Sequence, residues 1–255
     1  MDIDVSSIEV EPINLLRLEK DLFSLQPQNL VEKTKQFKNQ YGLYYEHYVM
    51  SFLNRRGTSD SLYPVSVFNF INDADVKDAF NYVRKLYPVS EVDKLYEQVT
   101  MMTKRFKYHF PEKKQPVRFI TCLSGWNYAF AYMDTSLVIA LDMYLGDTAK
   151  FYQMLRYPQY QTRKMNSQYI LPDIAKGWLL TEFDNMAAQN TLVYHTIFYG
   201  KLFYAMQALL PNSNDSLIIG YTTQQMDYCN KYEKNVWGYF AEKNRLYENN
   251  MNIVR

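Results

Sequence analysis

Apolar positions recur every three or four residues through SEVDKLYEQVTMMTKRF, where Val92, Leu95, Val99, Met102 and Phe106 fall on one helical face. Ser90 and Asp93 at its start have the spacing of a capping box. DADVKDAFNYVRKLYP places Val76, Phe80, Val83 and Tyr87 on a second stripe, and Pro88 ends it. At the N-terminus Ile3, Val5, Ile8 and Val10 alternate with polar residues, which predicts a short half-buried or edge strand before a mainly helical stretch over 14–110.

The period changes after Pro116. PVRFITCL and NYAFAYM read as strands, and Asp134-Thr135-Ser136 reads as the turn of a hairpin leading into LVIAL. Helices return over roughly 173–186, 190–210 and 222–243, the last with Thr222 and Gln225 as a capping box. The 190–210 segment, NTLVYHTIFYGKLFYAMQALL, is apolar on nearly all sides, which predicts a position central to the core. Its Gly200 costs ~1 kcal/mol of helix propensity relative to Ala, so another backbone is expected close by. In VIALDMYLGDTAKFYQML the strand stops at Asp142, Gly146 permits a turn and Asp147 is placed to cap a helix. With no internal repeat, low-complexity tract or linker, the economical reading is a single α+β domain over 1–255. It is predominantly helical with a small central β-sheet: an N-terminal strand and helices over 1–115, the sheet over 116–146 and C-terminal helices over 147–255.

Composition narrows the function classes. The 28 Lys and Arg nearly cancel 27 Asp and Glu, so the electrostatic footprint of a nucleic-acid binder is missing. The 24 Tyr and 15 Phe beside 8 Gly point to aromatic core and boundary positions, with an aromatic-lined groove as the alternative use. Cys122 and Cys229 are too few for a disulfide framework or a CxxC zinc site. No apolar run reaches the ~18 residues of a spanning helix, and MDIDVSSIEVEP lacks the basic start and apolar centre of a signal peptide. The expectation is a cytoplasmic protein or a mature form whose targeting segment has been removed.

Catalytic motifs are missing as well. Neither phosphate-binding glycine pattern occurs, nor the GxSxG elbow, nor HExxH. His47, His109 and His195 lie in separate segments and read as boundary residues rather than ligands, so no metal and no cofactor is expected. Among the acids, Asp134 suits a turn, Glu182 lies within a helix, and Asp147 and Asp173 suit helix caps. Asp142 alone lacks a local explanation, and its expected role is to tie the strand end to neighbouring backbone.

Four ordered blocks, VIALDMYLGDTAKFY, YILPDIAKGWLLTEF, YGKLFYAMQALLP and IIGYTTQQMDYCNKYEKNVWGYF, resemble the gliding-motility lipoprotein GldB family of Bacteroidetes. IDVSSIEVEPINLLRLEKDLF resembles the start of that family's mature domain, so the likeness covers most of the chain. The resemblance implies a lipid-anchored protein of the cell envelope, facing the periplasm, with its signal and lipidated Cys removed. It also implies a distant relation to zincin-type proteases: a small sheet, an HExxH helix and a following helix with a Glu beside a Gly. Here PDIAKGWLLTEF supplies neither histidine, and Tyr199 stands where the acidic ligand before Gly200 would be. The implied architecture is therefore a degenerate, metalloprotease-like scaffold whose cleft or signature residues are Asp142, Tyr144, Gly146, Asp173, Tyr199, Gly200 and Lys201. The expected function is non-catalytic, through envelope or membrane protein partners, with the membrane reached only through the lipid anchor. The alternatives are a divergent peptidase using Asp142 or His195, and a peptide or glycan binding module using Trp126, Tyr128, Trp178 and Trp237.

Overall fold

The architecture was obtained as a computed structural model, which describes residues 3–53, 57–183 and 191–249. Four strands, β1 (Asn14–Arg17), β2 (Arg118–Cys122), β3 (Phe130–Met133) and β4 (Ser136–Ala140), form one sheet in the order β1-β2-β4-β3. β1 pairs parallel with β2 and β2 parallel with β4, while β3 folds back antiparallel on β4. The hairpin turn is Asp134-Thr135, both with positive φ (49° and 56°), the left-handed pair that matches strand twist.

Side chains of the central strands alternate between two cores, because successive Cβ atoms point to opposite faces. Phe119, Leu137 and Ile139 enter one core, and Ile120, Cys122, Val138 and Ala140 enter the other. The second core is closed by α1 (Leu18–Phe23), α2 (Leu30–Tyr41), α3 (Leu43–Ser51) and α4 (Tyr63–Asn72). Much of the chain's tyrosine is spent here: Tyr41, Tyr44, Tyr45 and Tyr48 are all buried. Three of these place their hydroxyls on partners: Tyr41 donates to Asp21 (2.6 Å), Tyr48 to the Leu123 carbonyl (2.9 Å), and Tyr44 pairs with Tyr128 (2.7 Å).

The first core lies under α5 (Ala74–Leu86), α6 (Val89–His109), α7 (Lys150–Met154), α9 (Ile170–Glu182) and α10 (Leu192–Leu209), with α8 (Gln159–Thr162) between α7 and α9. The α6 stripe is buried as its spacing predicts, and Phe106 stacks on Trp178 of α9 with centroids 3.9 Å apart. α9 lies beneath β3, close enough that a Cβ at Gly177 would fall 2.1 Å from the Phe130 ring. α11 (Asp215–Ile219) and α12 (Thr223–Glu242) complete the chain, and Thr222 and Gln225 form the predicted capping box.

Several expectations are corrected. Residues 3–10 form no strand; the strand is NLLR over 14–17, an apolar pair whose two faces are both covered and which therefore does not alternate. Ser90 lies inside α6, whose N-cap is Pro88 without a side-chain bond. α10 is not central: Leu202, Met206 and Leu209 are buried, whereas Ile197, Tyr199 and Tyr204 are exposed, because only one stripe of this uniformly apolar helix packs. Among the described residues nothing lies within 4 Å of a Cβ at Gly200, so none of their backbone approaches it. Neither acid caps its helix. Exposed Asp147 precedes α7, whose N-cap is Ala149, and Asp173 sits within the first turn of α9 after Tyr169. The predicted helix end at Met186 and start at Asn190 lie outside the described residues.

Candidate functional site

Strand β4 is buried along its whole length and leaves the sheet through a 3-10 turn, Leu141–Met143, which carries Asp142 into the interior at 1% exposure. The loop after β2 wraps around its carboxylate. Gly125 (φ 62°) and Trp126 (φ 60°) both take the left-handed conformation, which turns the N–H groups of Ser124 and Trp126 inward as an anion-binding nest. The Ser124 N–H donates to Oδ1 at 3.0 Å and Oδ2 at 3.1 Å, and the Trp126 N–H donates to Oδ2 at 2.8 Å. Glycine is required at 125, where a Cβ would fall 2.4 Å from the Phe52 ring. Trp126 accepts an unfavourable backbone conformation in return for a charge-assisted bond. Burial pushes the Asp142 carboxyl up to about 6, against the opposing pull of those N–H groups.

Three tyrosine hydroxyls pin the surrounding backbone, and a fourth ties it to an acid. Tyr152 donates to the Asp142 carbonyl (3.0 Å) and accepts from the Leu145 N–H (2.8 Å), while Tyr157 donates to the Trp126 carbonyl (2.8 Å). Tyr87 donates to the Tyr144 carbonyl, and Tyr144 donates to Asp173 Oδ2 at 2.7 Å. Burial raises the Asp173 carboxyl, partly offset by the Tyr144 hydrogen bond and by Lys176 and Lys164. Gly146 (φ 99°) makes the turn its position predicts, its N–H donating to the Met165 carbonyl at 2.8 Å.

The other sequence-derived candidates do not join this cluster. Tyr199, Gly200 and Lys201 occupy exposed positions on α10, and His195 is half-buried beside the Tyr194 ring. His47 lies on α3 with Ser51 alongside, and His109 ends α6, its imidazole pushed down by burial. Among the described residues no three His, Cys, Asp or Glu side chains are grouped to hold a metal. Cys122 is buried and Cys229 exposed, both as free thiols. Of the proposed groove aromatics, Trp178 is fully buried, Trp126 stacks on Phe151, Tyr128 bonds to Tyr44 and Trp237 is alone in being exposed; the four line no common groove.

Sequence reasoning singled out Asp142, Tyr144, Gly146 and Asp173 but missed the nest and the tyrosine pins. Ser124-Gly125 and the density of tyrosine were the available signals. It also missed Glu19, 1% exposed, which binds Arg17 Nε at 2.7 Å and accepts from Thr121 at 2.8 Å. Together these contacts hold an acceptor-only carboxylate against backbone donors and lock the exit from β4 to the start of α9.

The family model described as gliding motility protein GldB matches residues 1–255. The chain belongs to that family. GldB membership carries involvement in gliding motility, and the family's designation marks its members as lipoproteins of the cell envelope. No helix among the described residues is long and apolar enough to cross a membrane. No curated protein and no solved structure matches the chain.

Proposed function

We propose that this GldB-family chain is a non-catalytic, lipid-anchored, periplasm-facing protein, a single domain that serves the gliding and surface machinery by binding protein partners on a zincin-like scaffold without its metal ligands. The observation that carries the reading is the helix pair α9–α10. With α9 read as the first ligand helix of a zincin, that helix carries Asp173, already engaged by Tyr144, followed by Lys176 and Gly177. α10, read as the second, carries Tyr199, Gly200 and Lys201 at exposed positions. An antiparallel edge strand over the first of these helices supports the scaffold assignment. Exposed Ile197 and Tyr204, seven residues apart on one face of α10, support the interaction role, since apolar residues grouped on a surface mark sites of association.

Complementation tests the proposal. A deletion strain should show a disturbed surface proteome, restored by the wild-type gene and not by one carrying Ile197→Asp with Tyr204→Glu. Both positions are exposed, so the folded chain should accumulate normally. Full rescue by the double variant, or stoichiometric zinc in purified protein lost on His195→Ala, would sink the reading in favour of a hydrolase.

A further inference from the structure

Two adjoining clefts of about 460 and 540 Å³ lie where α8 and the turn before α9 face α11 and the start of α12. They share Arg163, Tyr221, Thr222 and Gln225 and so form one continuous trough. Among the described residues no Asp or Glu lines it, although the chain has 27 of them. Of the acids nearest in sequence, Asp215 accepts from Gln207 at 2.7 Å, Asp227 is an exposed residue of α12 beside Tyr228, and Asp173, which accepts from Tyr144, also acts electrostatically on Lys164. Asp147 lines a separate depression, of about 330 Å³, that reaches Arg163 from the other side.

The cations in the trough have no partner there. Among the described residues neither Arg163 nor Lys164 makes an ion pair or a side-chain hydrogen bond. The Lys164 side chain rests on Gly220, where a Cβ would fall 2.7 Å from its Nζ. Gly220 (φ 77°) thus both ends α11 and makes room for the ammonium. Burial and the charges of Lys176 and Arg163 hold the Lys164 amine below its ordinary range, with Asp173 opposing, so positive charge is in local excess. The N-terminus of α12 is satisfied by its capping box, which leaves the side chains as the source of that charge.

The remaining lining is tyrosine, amide and hydroxyl. Tyr160, Tyr169, Tyr221 and Tyr228 supply ring faces, with Tyr160 and Tyr228 exposed by 65% and 60%. The side chains of Gln168, Asn214, Ser216 and Gln224 are uncommitted to other described residues and offer both donors and acceptors. Ring faces bind the C–H faces of sugars, amides and hydroxyls bind sugar hydroxyls, and unpaired cations bind carboxylates. We infer that this trough is a binding site for an acidic oligosaccharide whose uronate carboxylates meet Arg163 and Lys164.

Calorimetry on the full chain with tetragalacturonate tests the inference. The acid form should bind, with affinity falling as salt rises, and its full methyl ester should bind roughly tenfold or more weakly, as expected for loss of charge-assisted hydrogen bonds. Arg163→Gln with Lys164→Gln should lose about as much, and Tyr221→Ala should weaken acid and ester alike through lost stacking. Thermal melts of these surface variants verify folding. Equal binding of acid and ester, unchanged binding by the double variant, absent binding, or tighter binding of a polyglutamate peptide than of the saccharide would overturn it.

Discussion

At the scale of single residues, Asp142 is defined by its donors. Asn at this position would keep one acceptor and aim an NH₂ group at the backbone N–H of Ser124 or Trp126, which already point inward. Asp142→Asn should therefore destabilise the chain by about 1–3 kcal/mol, the usual cost of leaving buried donors unsatisfied, read from the urea midpoint at neutral pH. The pH dependence carries a second signature. Because the folded carboxyl is raised from 3.8 to about 6, its contribution to stability is complete below the unfolded value and is lost as pH rises through the folded one. That difference corresponds to about 3 kcal/mol between acid and neutral conditions. Wild type minus Asp142→Asn isolates this group from Asp173 and Glu19, which are raised in the same direction. A difference that stays flat between about pH 4 and pH 7 would show that the carboxyl is not desolvated. The sequence identified Asp142 by elimination, since no cap or turn role claimed it. Its partners at 124 and 126 were illegible because the nest exists only when two consecutive left-handed residues meet a carboxylate from across the hairpin.

At the scale of elements, periodicity read α6 correctly because packing alone selects its stripe. Phe106→Ala should cost about 3–5 kcal/mol, since it removes a fully buried ring and its stacking on Trp178. α10 shows the opposite case. A helix apolar on every side gives no periodic signal of which stripe packs, so exposure of Tyr204 could not be read from the pattern. The same uncertainty led to the expectation of a close backbone at Gly200, where the structure has open space. Gly200→Ala should therefore stabilise the chain by roughly 0.5–1 kcal/mol through helix propensity alone, seen as a higher melting temperature. A lower one would show that something packs there. β1 was misplaced for a related reason: Leu15 and Leu16 each pack, partly buried, against a different core, and a short apolar run without alternation looks like the start of a helix.

At the scale of the whole molecule, two cores share one sheet, and the chain's stability is concentrated around β2 and β4, whose side chains are almost all at zero exposure. α12 is different: none of its 20 residues is buried, and Val236, Trp237 and Tyr239 face outward. The segment after it returns to α10, where the Leu192 and Val193 N–H groups donate to the Glu248 and Leu246 carbonyls. α12 is thus tethered at both ends and lightly packed along its length. Local opening free energies follow buried contacts, so hydrogen exchange should be slowest in β2, β4 and α6 and faster by orders of magnitude in α12. A partner that covers the α10 and α12 aromatics would bury the missing contacts and slow α12 toward the rate of α6. Equal protection of α12 and α6 in the isolated chain would mean that α12 is already covered, and would leave the exposed residues of α10 alone to carry the interaction role.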